Sequence, residues 1–282
     1  MGKRTSQLTQ LTAAQVAQGD FLPIVDVSAG QTKYVTVKDL TGLPDFGWTA
    51  TAESWAYSSY DSATRIGVVT VPTDATTKYT LGNRVRFSQT TGGTKYAIIH
   101  AMTATSLTLF FQSGQSLANE TITSPVYSAL KSPYGFDADP ANWQLEIIDT
   151  TARQSNTPTK GAWYLPTGST CSLAIGIGKW WVEYYAANRV HGSASSTWCF
   201  ANTTLSTTTN SETDNNFTST SSSDQATSGV ITLKCPHWRR RKLTLAAKTT
   251  YNLLAYSDVQ GTIGTTNGFS DGARITATSA YI

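Results

Sequence analysis

The chain has 282 residues, of which 14% are charged and 39% hydrophobic. With 47 threonines, 29 serines, 21 glycines and 8 tryptophans, its balance favours β-structure, because branched and aromatic side chains fit a pleated, half-buried surface. A net charge of +3 is too small for a generic nucleic-acid binder. No run of about 18 apolar residues is present to span a membrane, and Met1-Gly-Lys-Arg leads into polar residues without the apolar core of a secretory signal.

Residues 1–44 read as an extended N-terminal arm. Leu8, Leu11, Ala14 and Val16 fit a short helix capped by Thr12 and ended by Gly19. Two apolar pieces, Phe21 to Val27 and Tyr34 to Leu40, then flank a polar turn and predict a hairpin. An isolated hairpin is marginal in water, so the arm must lie against something else. Leu8, Leu11, Leu22, Ile24, Val25 and Val35 are the apolar residues expected to bury there.

Residues 45–137 predict a small β-barrel or sandwich-like domain of about five strands. Arg65 to Val71, Arg84 to Ser88, Lys95 to Ala101 and Ser106 to Phe111 alternate as strands, with Gly92-Gly93 at a hairpin tip. Residues 138–282 carry about eight further strand-like pieces, which predict an antiparallel jelly-roll sandwich. These include Ser172 to Ile177, Lys179 to Ala187, Ser196 to Ala201, Gly229 to Lys234, Arg241 to Ala246, Thr250 to Tyr256 and Arg274 to Tyr281. The Thr/Ser-rich stretch Asn202 to Ser228 reads as a long connection, either disordered or a hairpin pinned by neighbouring chains. The expected fold class is therefore all-β, arm plus two β-units.

Residues for catalysis are scarce. The three histidines, His100, His191 and His237, sit in no GxSxG-like or HExxH-like context. His100 alternates with apolar neighbours and reads as a core or interface residue. Asp137, Asp139, Glu146 and Asp149 straddle a proline-containing junction and no spacing rule pairs them as a glycosidase would. Cys171, Cys199 and Cys235 lie far apart without a CxxC pair, so they are expected as reduced thiols packed like small hydrophobes. Neither an enzyme activity, a cofactor nor a metal is expected.

Two features point outward instead. Arg239-Arg-Arg-Lys242 is the only basic run; it reads first as a strand start whose charges keep the edge soluble or pair with acids of a sister chain, and second as a contact for an anionic glycan, a lipopolysaccharide phosphate or a nucleic acid. Strand alternation puts Trp180, Val182 and Tyr184 on one face and Trp181, Glu183 and Tyr185 on the other. The second face carries large rings and is expected to meet a sister subunit in preference to a sugar. Trp181, Tyr185, Arg239, Arg240 and Arg241 are the candidate outward contacts.

Several of these stretches resemble tailed-bacteriophage virion proteins. The opening Gln7-Leu-Thr-Gln-Leu-Thr-Ala13, Gly19-Asp-Phe-Leu-Pro-Ile-Val-Asp-Val-Ser28 and Thr32-Lys-Tyr-Val-Thr-Val-Lys-Asp-Leu40 look like a segment that precedes tail-fibre, tailspike or decoration modules. Tyr79-Thr-Leu-Gly-Asn-Arg-Val-Arg-Phe87 and Tyr127-Ser-Ala-Leu-Lys-Ser-Pro-Tyr-Gly-Phe136 are similar to a β-module of phage structural proteins. Ile175-Gly-Ile-Gly-Lys-Trp180 and Thr249-Thr-Tyr-Asn-Leu253 look like parts of trimeric fibre-end jelly rolls. The resemblance implies a non-enzymatic virion protein assembled in the bacterial cytoplasm. It would be a homotrimeric appendage whose arm binds capsid, neck or tail proteins, with host-surface glycan contact at its tips. It equally admits a capsid decoration (cement) protein. A glycan-depolymerising tailspike would be longer and show β-helix periodicity, and a soluble lectin leaves the arm without a purpose.

Overall fold

The computed structural model describes residues 21–26, 31–36, 47–155, 158–192, 196–229, 232–260, 262–263 and 267–282. The chain is an all-β protein built from antiparallel sheets. In the arm, β1 (Phe21–Asp26) pairs with β2 (Gln31–Thr36), with Leu22 opposite Val35 and Ile24 opposite Lys33. The second strand starts earlier than the apolar pattern indicates, because Gln31 and Thr32 complete the ladder with Asp26 and Val25. The short helix expected around Leu8 and Leu11 lies outside the described residues.

Seven strands form one sheet: β3 (Thr49–Ala50), β4 (Ala56–Asp61), β5 (Ile66–Thr70), β6 (Arg84–Gln89), β7 (Gly93–Thr103), β8 (Ser106–Phe111) and β9 (Thr123–Ser128). Their spatial order is β3-β9-β6-β7-β8-β5-β4, two strands more than the pattern predicts. One face buries Val85, Phe87, Ala97, Ile99, Leu107, Leu109 and Phe111 under Trp55 and Tyr79. The helical turn α1 (Ala75–Lys78), capped by Asp74, helps close that face with the buried Ala75. Because side chains alternate, Ile98, His100 and Phe110 fall on the opposite face, which is also buried.

That second face meets the C-terminal unit. Its strands are β10 (Gln144–Asp149), β11 (Arg153–Ser155), β12 (Ala162–Tyr164), β13 (Ser172–Ile175), β14 (Gly178–His191), β15 (Ser196–Ser206), β16 (Ser219–Gly229), β17 (Thr232–Leu245), β18 (Thr249–Val259) and β19 (Asn267–Ser279). One sheet runs β10-β19-β14-β17 with β11 continuing beside β19; the other runs β12-β18-β15-β16 with β13 beside β18. Taking each broken pair as one strand and lettering eight strands B to I, the sheets read BIDG and CHEF. That is the jelly-roll order.

Three local readings change. Asn202 to Ser228 is not a loop throughout: β15 extends to Ser206 and β16 begins at Ser219, so the pair is an ordered hairpin within this chain's own sheet. Gly229 to Lys234 and Arg241 to Ala246 are not separate strands, since Thr232–Leu245 is continuous and the basic run sits inside it. Pro236 is tolerated there because β17 lies at the edge of its sheet.

One buried core joins the two units. Phe110 and Trp180 meet edge to face at 4.7 Å, and Phe136 stacks on Trp143 at 4.8 Å. The Arg84 guanidinium donates to Lys131 O and Tyr281 O, and Lys248 pairs with Asp61 at 2.7 Å. The glycines of Ile175-Gly-Ile-Gly178 allow this approach: a Cβ on Gly176 would stand 2.4 Å from Ile66, and one on Gly178 2.3 Å from His100. His100 is buried between the units, its Nε2 3.0 Å from Ser279 Oγ and its Nδ1 3.3 Å from Ile177 O.

Candidate interaction face

The outward face of the BIDG sheet gathers four of the eight large hydrophobic side chains that are exposed among the described residues: Ile148, Trp181, Tyr185 and Trp238. Along β14, Trp180, Val182 and Tyr184 enter the core, while Trp181 and Tyr185 remain 38% and 41% exposed. Antiparallel register then sets their neighbours. Tyr185 lies opposite Trp238 on β17 and Arg274 on β19, and Arg274 lies opposite Ile148 on β10. The result is a row, Ile148–Arg274–Tyr185–Trp238, across all four strands, with Ile148 53% and Trp238 54% exposed. Directly opposite pairs on a sheet face lie within contact range.

The neighbouring rows carry charge. Glu183 opposes Arg240, whose Nε is 3.8 Å from the carboxylate, and Trp181 opposes Lys242. The Arg240 guanidinium lies 5.0 Å and the Lys242 ammonium 5.9 Å from the Trp181 ring centre, both within cation–π range. At the other end, Ile148, Thr150, Tyr185, Asp271 and Arg274 line a groove of about 450 Å3. The face therefore offers apolar rings, a shallow concavity and charges of both signs. Those are the components of a contact surface.

Of the residues the sequence singles out, the structure brings Trp181, Tyr185 and Arg240 together on this face. It does not bring Arg239 and Arg241 there, because alternation turns them to the other side of β17. Arg241 is bonded to Asp214 at 2.6 Å and lies over the Phe217 ring, and Arg239 donates to Thr218 O. Both hold the β15–β16 connection. Trp238, Ile148 and Arg274 belong to the face but escaped sequence reasoning. Period-two alternation through 238, 240 and 242 was the available signal, masked by splitting β17 in two. Among the anchor candidates, Leu22, Ile24, Val25 and Val35 lie on the β1–β2 hairpin, whereas Leu8 and Leu11 lie outside the described residues.

The titratable groups read as structural. Burial holds His100 down at about 3, neutral near pH 7. His237 is likewise lowered by burial, with Nδ1 2.9 Å from Ser219 O. Asp149 is held at about 2: burial opposes this, but hydrogen bonds from Arg153 and the Thr170 and Thr151 amides prevail. All three cysteines are free thiols, with Cys171 pushed up to about 11 by burial. Among the described residues, no group of three or more His, Cys, Asp or Glu could hold a metal ion. None of the described helices is long and apolar enough to cross a membrane.

Fold and face together define an all-β jelly-roll protein with an exposed aromatic sheet face. No protein-family model matches the sequence, and no curated protein matches it. Among solved structures, the chain is similar to the infectious bursal disease virus VP2 subviral particle, at 13% identity and TM-score 0.30 over 92% of this chain and 64% of that one. It is also similar to infectious bursal disease virus Gx strain, at 10% identity and TM-score 0.31 over 93% and 65%. The chain thus spans just under two thirds of the length of these matched chains. Values this low leave the jelly roll resting on its own strand order.

Proposed function

We propose that this chain is a non-enzymatic structural protein of a virus particle, a homotrimeric appendage of the tail-fibre kind that works by contact and assembly. Residues 1–44 fix it to neighbouring virion proteins, residues 45–137 act as spacer, and the jelly roll of residues 138–282 points outward towards the host surface. The exposed row Ile148–Arg274–Tyr185–Trp238 is the observation that carries this reading. Exposed large apolar side chains grouped on one sheet face mark an interaction site, and large aromatic side chains are enriched in subunit contacts. The N-terminal resemblance to tailed-phage virion proteins supplies the particle, and the jelly-roll order is one that viral structural domains use.

Immunogold labelling of purified particles tests the placement. Label on tails supports the appendage, label confined to heads replaces it with a decoration role, and unlabelled particles contradict both. Shortening of host polysaccharide by the purified protein would contradict its non-enzymatic character.

A further inference from the structure

Two of the three free thiols share a small core of their own at one end of the jelly roll. Cys199 lies on β15 in the CHEF sheet and Cys235 on β17 in the BIDG sheet, and both pack with Val190, Ala201, Leu233 and Val259. The strand order puts them level with each other. β16 ends at Gly229, opposite Ser196 of β15, and the chain re-enters as β17 at Thr232. From that corner Cys199 stands three residues along β15, counted from Ser196, and Cys235 three residues along β17, counted from Thr232.

The two sheets are close here. Asn188 of β14 lies directly opposite Cys235, and its Nδ2 donates to Asn202 O of β15 at 2.7 Å. His237, two residues beyond Cys235, places Nδ1 2.9 Å from Ser219 O of β16. On both sides of Cys235, then, a single side chain of the BIDG sheet reaches the backbone of the CHEF sheet. A disulfide needs the same closeness, with Cα atoms within about 7 Å and side chains turned towards each other. Cys171 lacks such a partner, since it belongs to the large core shared by the two units.

We propose that Cys199 and Cys235 are a modification site, joining as a stabilising disulfide between the two sheets when the chain passes from a reducing to an oxidising medium. Cys199 is buried, whereas Cys235 keeps partial exposure and reacts first. With glutathione disulfide as oxidant, the Cys235 sulfur attacks one glutathione sulfur, breaks that S–S bond and releases one glutathione thiol. The Cys199 sulfur then attacks the Cys235 sulfur and releases the second. The two protein thiols give up two protons, which end on the two glutathiones, and the glutathione disulfide takes up the two electrons. Burial raises the Cys199 thiol above its ordinary value and the neighbouring Cys235 raises it further, so the closing step is the slower one. The site stands on the packing of this corner and goes beyond the structural role proposed above.

Intact mass and peptide mapping test it, on the full chain first reduced and then incubated with glutathione disulfide. The mass should fall by about 2 Da, and the map should show the Cys199 peptide joined to the Cys235 peptide. Alkylation after unfolding in denaturant should then label Cys171 alone. The oxidised chain should melt about 5 °C or more above the reduced one, because the bond restricts the unfolded chain. Cys199→Ala should keep glutathione attached to Cys235; should that variant fail to fold, the wild-type map decides the matter by itself. A pair left unlinked, a bond to Cys171, bonds only between chains, or an oxidised chain that melts no higher than the reduced one would overturn the assignment.

Discussion

At the scale of single residues, His100 ties acid sensitivity to the contact between the two β-units. Burial keeps its folded-state value at about 3, whereas an unfolded histidine titrates near 6.5. Between those values the unfolded chain binds more protons than the folded one, so stability falls as pH falls from about 6.5, by at most about 1.4 kcal/mol per pH unit per group. Urea unfolding from pH 7 to 5, above the titration of ordinary carboxylates, should show this slope. His100→Gln should flatten it in part, and His237, lowered in the same direction, carries the remainder. An unchanged slope would remove His100 from the account. Gly178→Ala tests the same junction sterically. The new methyl meets the imidazole at a backbone φ of +131°, and the expected cost is about 3 kcal/mol, read as a lower urea midpoint.

At the scale of elements, the exposed BIDG face should act in association more than in folding. Trp238→Ala removes a ring that is 54% exposed, so chain stability should change by less than about 0.5 kcal/mol while self-association weakens. Sedimentation velocity across a concentration series reads this directly. Arg241→Ala is the control on the opposite side of the same strand. Its partly exposed pair with Asp214 predicts a loss of less than about 1 kcal/mol and no change in association.

The same elements show what could be read in the residues beforehand. β6, β7 and β8 stand close to their predicted limits because apolar alternation and the Gly92-Gly93 tip are both local signals. β16 gave none: Ser219, Thr220, Ser221, Ser222 and Ser223 have no apolar period, and pairing with β15 is what makes them a strand. In β17, Pro236 and four consecutive cations interrupt the pattern, and only the edge position makes them compatible with a strand. Trp181 and Tyr185 were legible from alternation within one strand. Trp238 shares the local alternation of Arg240 and Lys242 along β17, but its place beside Tyr185, like that of Arg274 and Ile148, comes from register between strands, which no local pattern contains.

At the scale of the molecule, the two β-units share one buried core, so among the described residues the outer sheet faces are left for partners, and the arm is the proposed anchor. Removing residues 1–40 should abolish incorporation into particles while leaving the melting transition of the remaining chain in place. Full incorporation of the truncated chain would refute the anchoring role. The central claim is that the exposed aromatic face is covered by copies of the same chain. Multi-angle light scattering on the purified full chain tests it most directly. The account predicts a particle of three times the 30.3 kDa chain mass, falling towards one chain mass in Trp238→Ala, whereas a wild-type protein that stays at one chain mass at all concentrations would contradict it.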